Sequence, residues 1–202
     1  MKSKKFLICA AVAAMCAGPV LAQTAAPAEG KFMVRARAVH LDSANTDGTG
    51  LDLSINNKWL PEVDVSYFLT NNWAAELILT VPQKQSVYAG GDRIGSLRHL
   101  PPTLLVQYHF TNFSGFKPYV GAGINYTRFS SVHLLGGAAD VERNSFGPAL
   151  QVGVDIPVAK NVYLNLDLKK VWIKTKVSAG GAELGTFKVD PVLFGVGVGY
   201  RF

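Results

Sequence analysis

The chain has 202 residues, enough for one domain, and with 49 % hydrophobic and 17 % charged residues it lies outside the disordered class. Its net charge of +6 is concentrated at the start: Lys2, Lys4 and Lys5 supply three positives, and the rest of the chain carries 17 basic and 14 acidic side chains. Those charges are scattered rather than gathered into a patch, so no nucleic-acid partner is expected.

Residues 1–5 form a basic leader, 6–17 an apolar run, and Val20-Leu21-Ala22 a small-residue cleavage site followed by Gln23. This is the pattern of a secretory signal peptide over 1–22. Met15 before Cys16 makes a poor lipoprotein signal, so cleavage after Ala22 is expected. Cys9 and Cys16 are the only cysteines, and the mature chain would hold neither disulfide nor cysteine metal site. Residues 23–30 read as a flexible polar lead-in. No later run approaches the roughly 18 apolar residues of a membrane-spanning helix. If the chain crosses a membrane, it crosses with strands.

From 31 to 202 the dominant period is two, the strand period. Over 31–41, Phe32, Val34, Ala36 and Ala38 alternate with Met33, Arg35 and Arg37. Over 61–70, Val63, Val65, Tyr67 and Leu69 oppose Glu62, Asp64 and Ser66. Over 73–81, Trp73, Ala75, Leu77 and Leu79 oppose Glu76 and Thr80; over 103–110, Leu104, Val106, Tyr108 and Phe110 oppose Thr103, Gln107 and His109. Over 117–129 and 145–157 the polar phase is rich in glycine. Over 162–177, Leu164, Leu166 and Leu168 oppose Asn165, Asp167 and Lys169; the apolar set then shifts to Val171, Ile173 and Val177, which a β-bulge at Lys169-Lys170 would explain. Over 187–202, Val192, Phe194, Val196, Val198, Tyr200 and Phe202 oppose three glycines and Arg201.

These are eight strands, several long enough to span a bilayer when tilted. The connections alternate: 42–59, 82–100, 130–144 and 178–186 read as long loops, while 71–72, 111–116 and 158–161 are short. The prediction is an all-β, eight-stranded antiparallel transmembrane β-barrel over 31–202, with short periplasmic turns, longer extracellular loops and both termini in the periplasm. Polar-phase charges of both signs and aromatic residues near strand ends favour an apolar exterior over a soluble, apolar-centred barrel.

Four segments carry a family resemblance: Leu100-Pro101-Pro102-Thr103-Leu104, the stretch from Lys117-Pro118-Tyr119 to Asn125-Tyr126-Thr127, Asp167 to Ile173, and Asp190 to Phe202. In order and spacing they resemble the OmpW family of outer-membrane proteins. The resemblance implies passive transport of small hydrophobic molecules through a narrow lumen, with sideways release into the bilayer. Its alternative is a structural or receptor barrel whose extracellular loops bind envelope or external partners (phage, bacteriocin, host). It also implies that apolar residues constrict the lumen; Met33, Ile78, Leu105 and Leu193 are on the inward phase here, and Trp172 joins them if the bulge exists. Tyr200 and the terminal Phe202 resemble the sorting signal read by the outer-membrane insertion machinery.

Eight strands enclose little beyond their own side chains. The inward charges Arg35, Arg37, Glu62, Asp64, Glu76, Asp155, Asp167, Lys169 and Arg201 are therefore expected to pair internally. None of His40, His99, His109 and His133 has serine two residues on, and they lack metal-ligand spacing, so no catalytic site, metal or cofactor is expected. A monomer in contact with outer-membrane lipids is expected, since a closed barrel has no free edge.

Overall fold

A computed structural model describes residues 30–202; the signal peptide and all of the lead-in but Gly30 lie outside the described residues. Period-two alternation becomes fifteen strand segments: β1 (Phe32–Asp42), β2 (Thr46–Asp47), β3 (Leu53–Ile55), β4 (Lys58–Phe68), β5 (Trp73–Thr80), β6 (Gln83–Ala89), β7 (Asp92–Leu100), β8 (Thr103–His109), β9 (Lys117–Leu134), β10 (Ala139–Val141), β11 (Asn144–Ala159), β12 (Val162–Val171), β13 (Lys174–Ala179), β14 (Ala182–Lys188) and β15 (Val192–Arg201).

Eight of these close the lower barrel in the order β1, β4, β5, β8, β9, β11, β12, β15. Every neighbour is antiparallel, and β15 returns to β1 in a continuous register from Met33↔Arg201 to Asp42↔Val192. The seam is completed where Phe32 and Phe202 exchange backbone N–H···O bonds of 3.0 and 2.9 Å. Closure is what hydrocarbon demands, because an unpaired N–H or C=O in lipid costs several kcal/mol. Over the lower part of these strands Val63, Val65, Leu77, Leu79, Leu104, Val106, Leu150, Val152, Leu166, Leu168, Val196 and Val198 face out, and their charged and glycine neighbours face in.

The remaining segments continue the walls upward, away from the termini. β3, β6, β7, the upper half of β9, β10, β13, β14 and β2 pair in that order. This corrects the sequence reading. The stretches 82–100 and 178–186 are mostly strand, and 42–59 and 130–144 contain β2, β3, β10 and the end of β9. The hairpin tips are two-residue Gly90-Gly91 and Gly180-Gly181 turns, each with positive φ at both positions. Such φ pairs are the signature of tight hairpins whose twist matches the strands.

The bulge expected at Lys169-Lys170 is not formed. β12 pairs without a slip from Lys170↔Leu150 down to Tyr163↔Pro157, and its shift lies at Pro157/Ala159. Tyr163, Asn165, Asp167, Lys169, Val171 and Ile173 form one unbroken inward row. What changes after Lys169 is the chemistry of the interior, not the phase of the strand. Trp172 therefore stays off the lumen side, with the Lys170 ammonium 5.9 Å from its ring centroid.

Inward glycines make room for large polar side chains. A Cβ on Gly153 would lie 2.3 Å from the Tyr119 ring and hydroxyl. Gly153→Ala is expected to destabilise the barrel by about 1–3 kcal/mol through overpacking, measured by urea unfolding in lipid vesicles. The loss should shrink in a Tyr119→Leu background; equal losses in both backgrounds would contradict the packing argument.

Candidate functional site

The interior is built in three layers. Lowest is a small apolar floor of Met33, Phe68, Ala74 and Tyr163. The Arg201 guanidinium stacks 3.6 Å from the Phe68 ring centroid and donates to the Gly30 carbonyl at 2.7 Å.

Above the floor, eight of the nine expected inward charges meet in one buried network. Arg35 makes a two-point contact with Asp155 at 3.1 and 2.8 Å, and reaches Asp64 at 3.0 Å and Ser66 at 2.8 Å. Arg37 binds Glu62 at 2.8 Å, Glu76 at 3.0 Å and Asn165 at 2.8 Å, with Asp64 at 2.8 Å. Lys169 lies 2.6 Å from both Glu62 and Asp167. The β-register explains the clustering, since Arg35 and Arg37 stand directly opposite Asp64 and Glu62. Neutral groups fill the gaps: Tyr119 donates to Asp167 at 3.0 Å, Gln151 to Asp167 at 2.7 Å, and Gln107 to Gln151 at 2.8 Å. Breaking one such pair typically costs about 3–5 kcal/mol, because a charge is left buried alone. The layer is a plug of interlocked side chains across the whole bore.

The top layer is apolar. A cavity above the plug is walled by Leu41, Leu53, Ile55, Val87, Leu97, Phe129, Ile173, Val177, Phe187 and Val189, with His99 and Thr175 among its few polar neighbours. Directly beneath it, a smaller space is bounded by Leu60, Ile78, Val171 and Leu193, with Glu62 and Lys169 at its base. The predicted apolar lumen residues are thus split. Ile78 and Leu193 line this lower space, Leu105 is buried in the same apolar cluster, Met33 is in the floor below the plug, and Trp172 lines an outer groove with Phe146 and Lys188. Tyr200 and Phe202 point outward, about half exposed.

Sequence reasoning missed Tyr119, wholly buried at the network's centre, and most of the cavity wall. The wall residues sat in stretches read as loops, although Leu53-Ser54-Ile55 and Phe187-Lys188-Val189 already alternate.

Between the two barrel levels the backbone ladder is interrupted. β4 pairs β5 up to Glu62↔Thr80, and β3 pairs β6 from Ile55↔Val87 upward. Between them, Pro61 and Pro82 offer no N–H, and the strands are bridged by side chains: Ser86 N–H to Asn56 at 2.8 Å, Lys58 to the Lys84 carbonyl at 3.2 Å, and Thr80 to the Pro61 carbonyl at 2.7 Å. This weak seam adjoins the lower space through Leu60, Thr80 and Gln83.

A closed, charge-plugged, eight-stranded barrel with a lipid-facing apolar band is a bacterial outer-membrane barrel protein. A model of the OmpW family matches residues 28–202, and the chain belongs to that family. It is 42 % identical over 211 residues to the uncharacterized outer-membrane protein y4mB of Sinorhizobium fredii, covering 98 % of this chain and 92 % of the relative. It is 33 % identical to outer membrane protein W of Escherichia coli, covering 98 % and 100 %. It is 28 % identical over 172 residues to the dibenzothiophene metabolism operon protein PahQ of Pseudomonas aeruginosa, covering 81 % and 80 %. Among solved structures, the outer membrane protein OprG of Pseudomonas aeruginosa shares the fold, with a TM-score of 0.74 at 24 % identity over 86 % of this chain and 96 % of that one.

His99 tests the apolar upper layer. It lies on β7, above the membrane-spanning segments, and burial, aided by nearby Lys58, pushes its imidazole down to about 4. The unfolded chain, with an ordinary value near 6.5, binds this proton earlier. The contribution of neutral His99 is therefore fully present above about pH 6.5 and is lost as pH falls toward 4. At pH 5 the loss is about 2 kcal/mol. Hydrogen exchange of the β6 and β7 amides, corrected for intrinsic rates, should show this opening in the wild type and a flat response in His99→Gln. Equal protection at pH 7 and 5 in the wild type would refute it.

Proposed function

We propose that this barrel takes up small hydrophobic molecules from outside the cell into the apolar cavity and releases them sideways into the outer membrane. The observation that carries the reading is the cavity itself: an almost wholly hydrophobic chamber directly above a plug of ion pairs. An apolar solute gains about 25 cal/mol for each Å² withdrawn from water on entering. It gains nothing by continuing down through the network, where ion pairs would have to part and lose their partners. The way of least resistance is lateral, through the seam of Pro61 and Pro82, where few backbone hydrogen bonds must part. Beyond it lie lipid-facing Val63, Leu79 and Val81.

The relative named for a dibenzothiophene metabolism operon supports an aromatic, sulfur-containing or fused-ring class of cargo. Naphthalene is a suitable probe of that class.

In cells lacking other such barrels, expression of the wild type should speed naphthalene uptake severalfold over an empty vector. Phe187→Asp, which puts a charge in the chamber wall, should return uptake to the vector level while surface amount and heat-modifiable mobility stay unchanged. Uptake by Phe187→Asp at the wild-type rate would sink the proposal and favour a barrel that acts through its outer surface.

A further inference from the structure

Above the lipid-facing band, the outer surface of the β6–β7–β9 wall becomes basic. Lys84 of β6 stands directly opposite Arg98 of β7, and Arg128 of β9 is paired with Leu100, two residues below Arg98 on β7. All three are exposed, and none has an ion-pair partner among the described residues. Like charges facing each other across strands are destabilising unless something neutralises them. Two exposed acids are engaged elsewhere: Asp140 is 3.0 Å from Arg143 and Glu183 is 3.0 Å from Lys176.

A second feature shapes this surface. The β7–β9 ladder slips between Ser96 and Arg98, and Ser131 sits there with φ of 46°. A bulge of this kind re-aims side chains. Here Ser131 and His133 are exposed beside Arg98, and His133 Nδ1 is 2.9 Å from the Ser131 carbonyl. Lys84, Ser96, Arg98, Ser131 and His133 thereby line one shallow cleft on the wall. Cationic groups with hydroxyl neighbours are the donors that phosphate oxygens take.

The surface below the cleft is just as specific. Tyr126 and Phe146 pack with ring centroids 4.8 Å apart one step beneath Arg128, and Phe146 is 70 % exposed. Under them, Ile124 and Leu104 are directly paired and more than half exposed. From bottom to top the wall reads aliphatic, aromatic, cationic, hydroxyl. A molecule that matches this order has acyl chains below and phosphates with sugars above.

We propose that the cleft of Lys84 and Arg98, with Arg128 on the wall just below it, binds the phosphate groups of a phosphorylated, multiply acylated glycolipid of the outer leaflet, with its chains on Tyr126, Phe146 and Ile124. The bound headgroup neutralises the facing cations and clamps β6, β7 and β9 together at the level of the seam.

The test is native mass spectrometry of the full purified barrel in detergent, titrated with diphosphoryl lipid A. The wild type should retain lipid A, and the Lys84→Gln/Arg98→Gln/Arg128→Gln variant should bind at least tenfold more weakly. Lys174→Gln/Lys188→Gln, which removes an equally exposed facing pair from β13 and β14, should change binding less than twofold. Folding of each variant is checked by heat-modifiable mobility, and Arg98→Lys keeps a cation in place if the triple variant fails to fold: it should retain binding where Arg98→Gln loses it. Lipid A stripped of phosphate should compete poorly, and so should phosphatidylglycerol. Undiminished binding by the triple variant, or by Arg98→Gln where the triple variant does not fold, would overturn the proposal. So would equal competition by dephosphorylated lipid A, by phosphatidylglycerol, or by inorganic phosphate at the same concentration, the last marking a free-anion site.

Discussion

Arg35 and Arg37 project from one strand into a space only eight strands wide, within a membrane where water cannot solvate them. A guanidinium in that position must be surrounded by acceptors, and the antiparallel register supplies them: Asp64 and Glu62 directly across on β4, Asp155 and Asn165 from β11 and β12. Tyr119 and Gln151 both donate to Asp167, Gln107 donates to Gln151, and Asn165 links the Tyr119 hydroxyl to Asp155. The inward glycines follow from the same demand, since the network needs volume that a methyl group at Gly153 would take. The lower barrel is therefore solid, and any cargo path must be arranged around it.

The walls keep one alternation from bottom to top, yet its meaning reverses on the way. Below the level of Pro61, Pro82, Pro101 and Pro148, aliphatic residues face lipid and charges face inward. Above it, Val87, Leu97, Val177 and Phe187 face inward, and Lys84, Arg98, Lys174 and Lys188 face outward. The reversal tracks the solvent. In the bilayer the outside must be apolar; beyond it the outside is water and headgroups, and an apolar interior is what holds the extended walls together. Prolines collect at the changeover because each removes a ladder hydrogen bond, tolerable only where the pairing is already breaking. The same level holds the seam beside β4 and β5.

The lower barrel was legible in the sequence because a strand buried in lipid writes an uninterrupted period of two. Eight strands, their facing, the short turns and the set of inward charges all follow from that pattern. The upper walls were less legible for a physical reason. Their outward residues are polar and charged, so 82–100 and 178–186 resemble loops by composition, and only the Gly-Gly dipeptides and scattered inward aliphatics mark the hairpins. A bulge after Lys169 suits an interior of one chemistry; the interior has two, and the inward row keeps its parity across the short break between β12 and β13. Trp172 was misplaced for that reason. Tyr119 shares the inward parity of Gly121, Gly123 and Asn125, but a tyrosine beside Pro118 at a strand start is equally at home in a membrane girdle, and only the three-dimensional register carries its hydroxyl to Asp167.

An ion-pair plug that closes the bore leaves the wall as the exit for the proposed apolar cargo. Single-channel recording of the purified protein in a planar bilayer tests it most directly. The wild type should show no sustained ohmic conductance in potassium chloride, and a variant with Arg35, Arg37, Glu62, Asp64 and Asp155 all replaced by serine should conduct. Steady ion conductance through the wild-type barrel would mean that water threads the network, and would contradict the account.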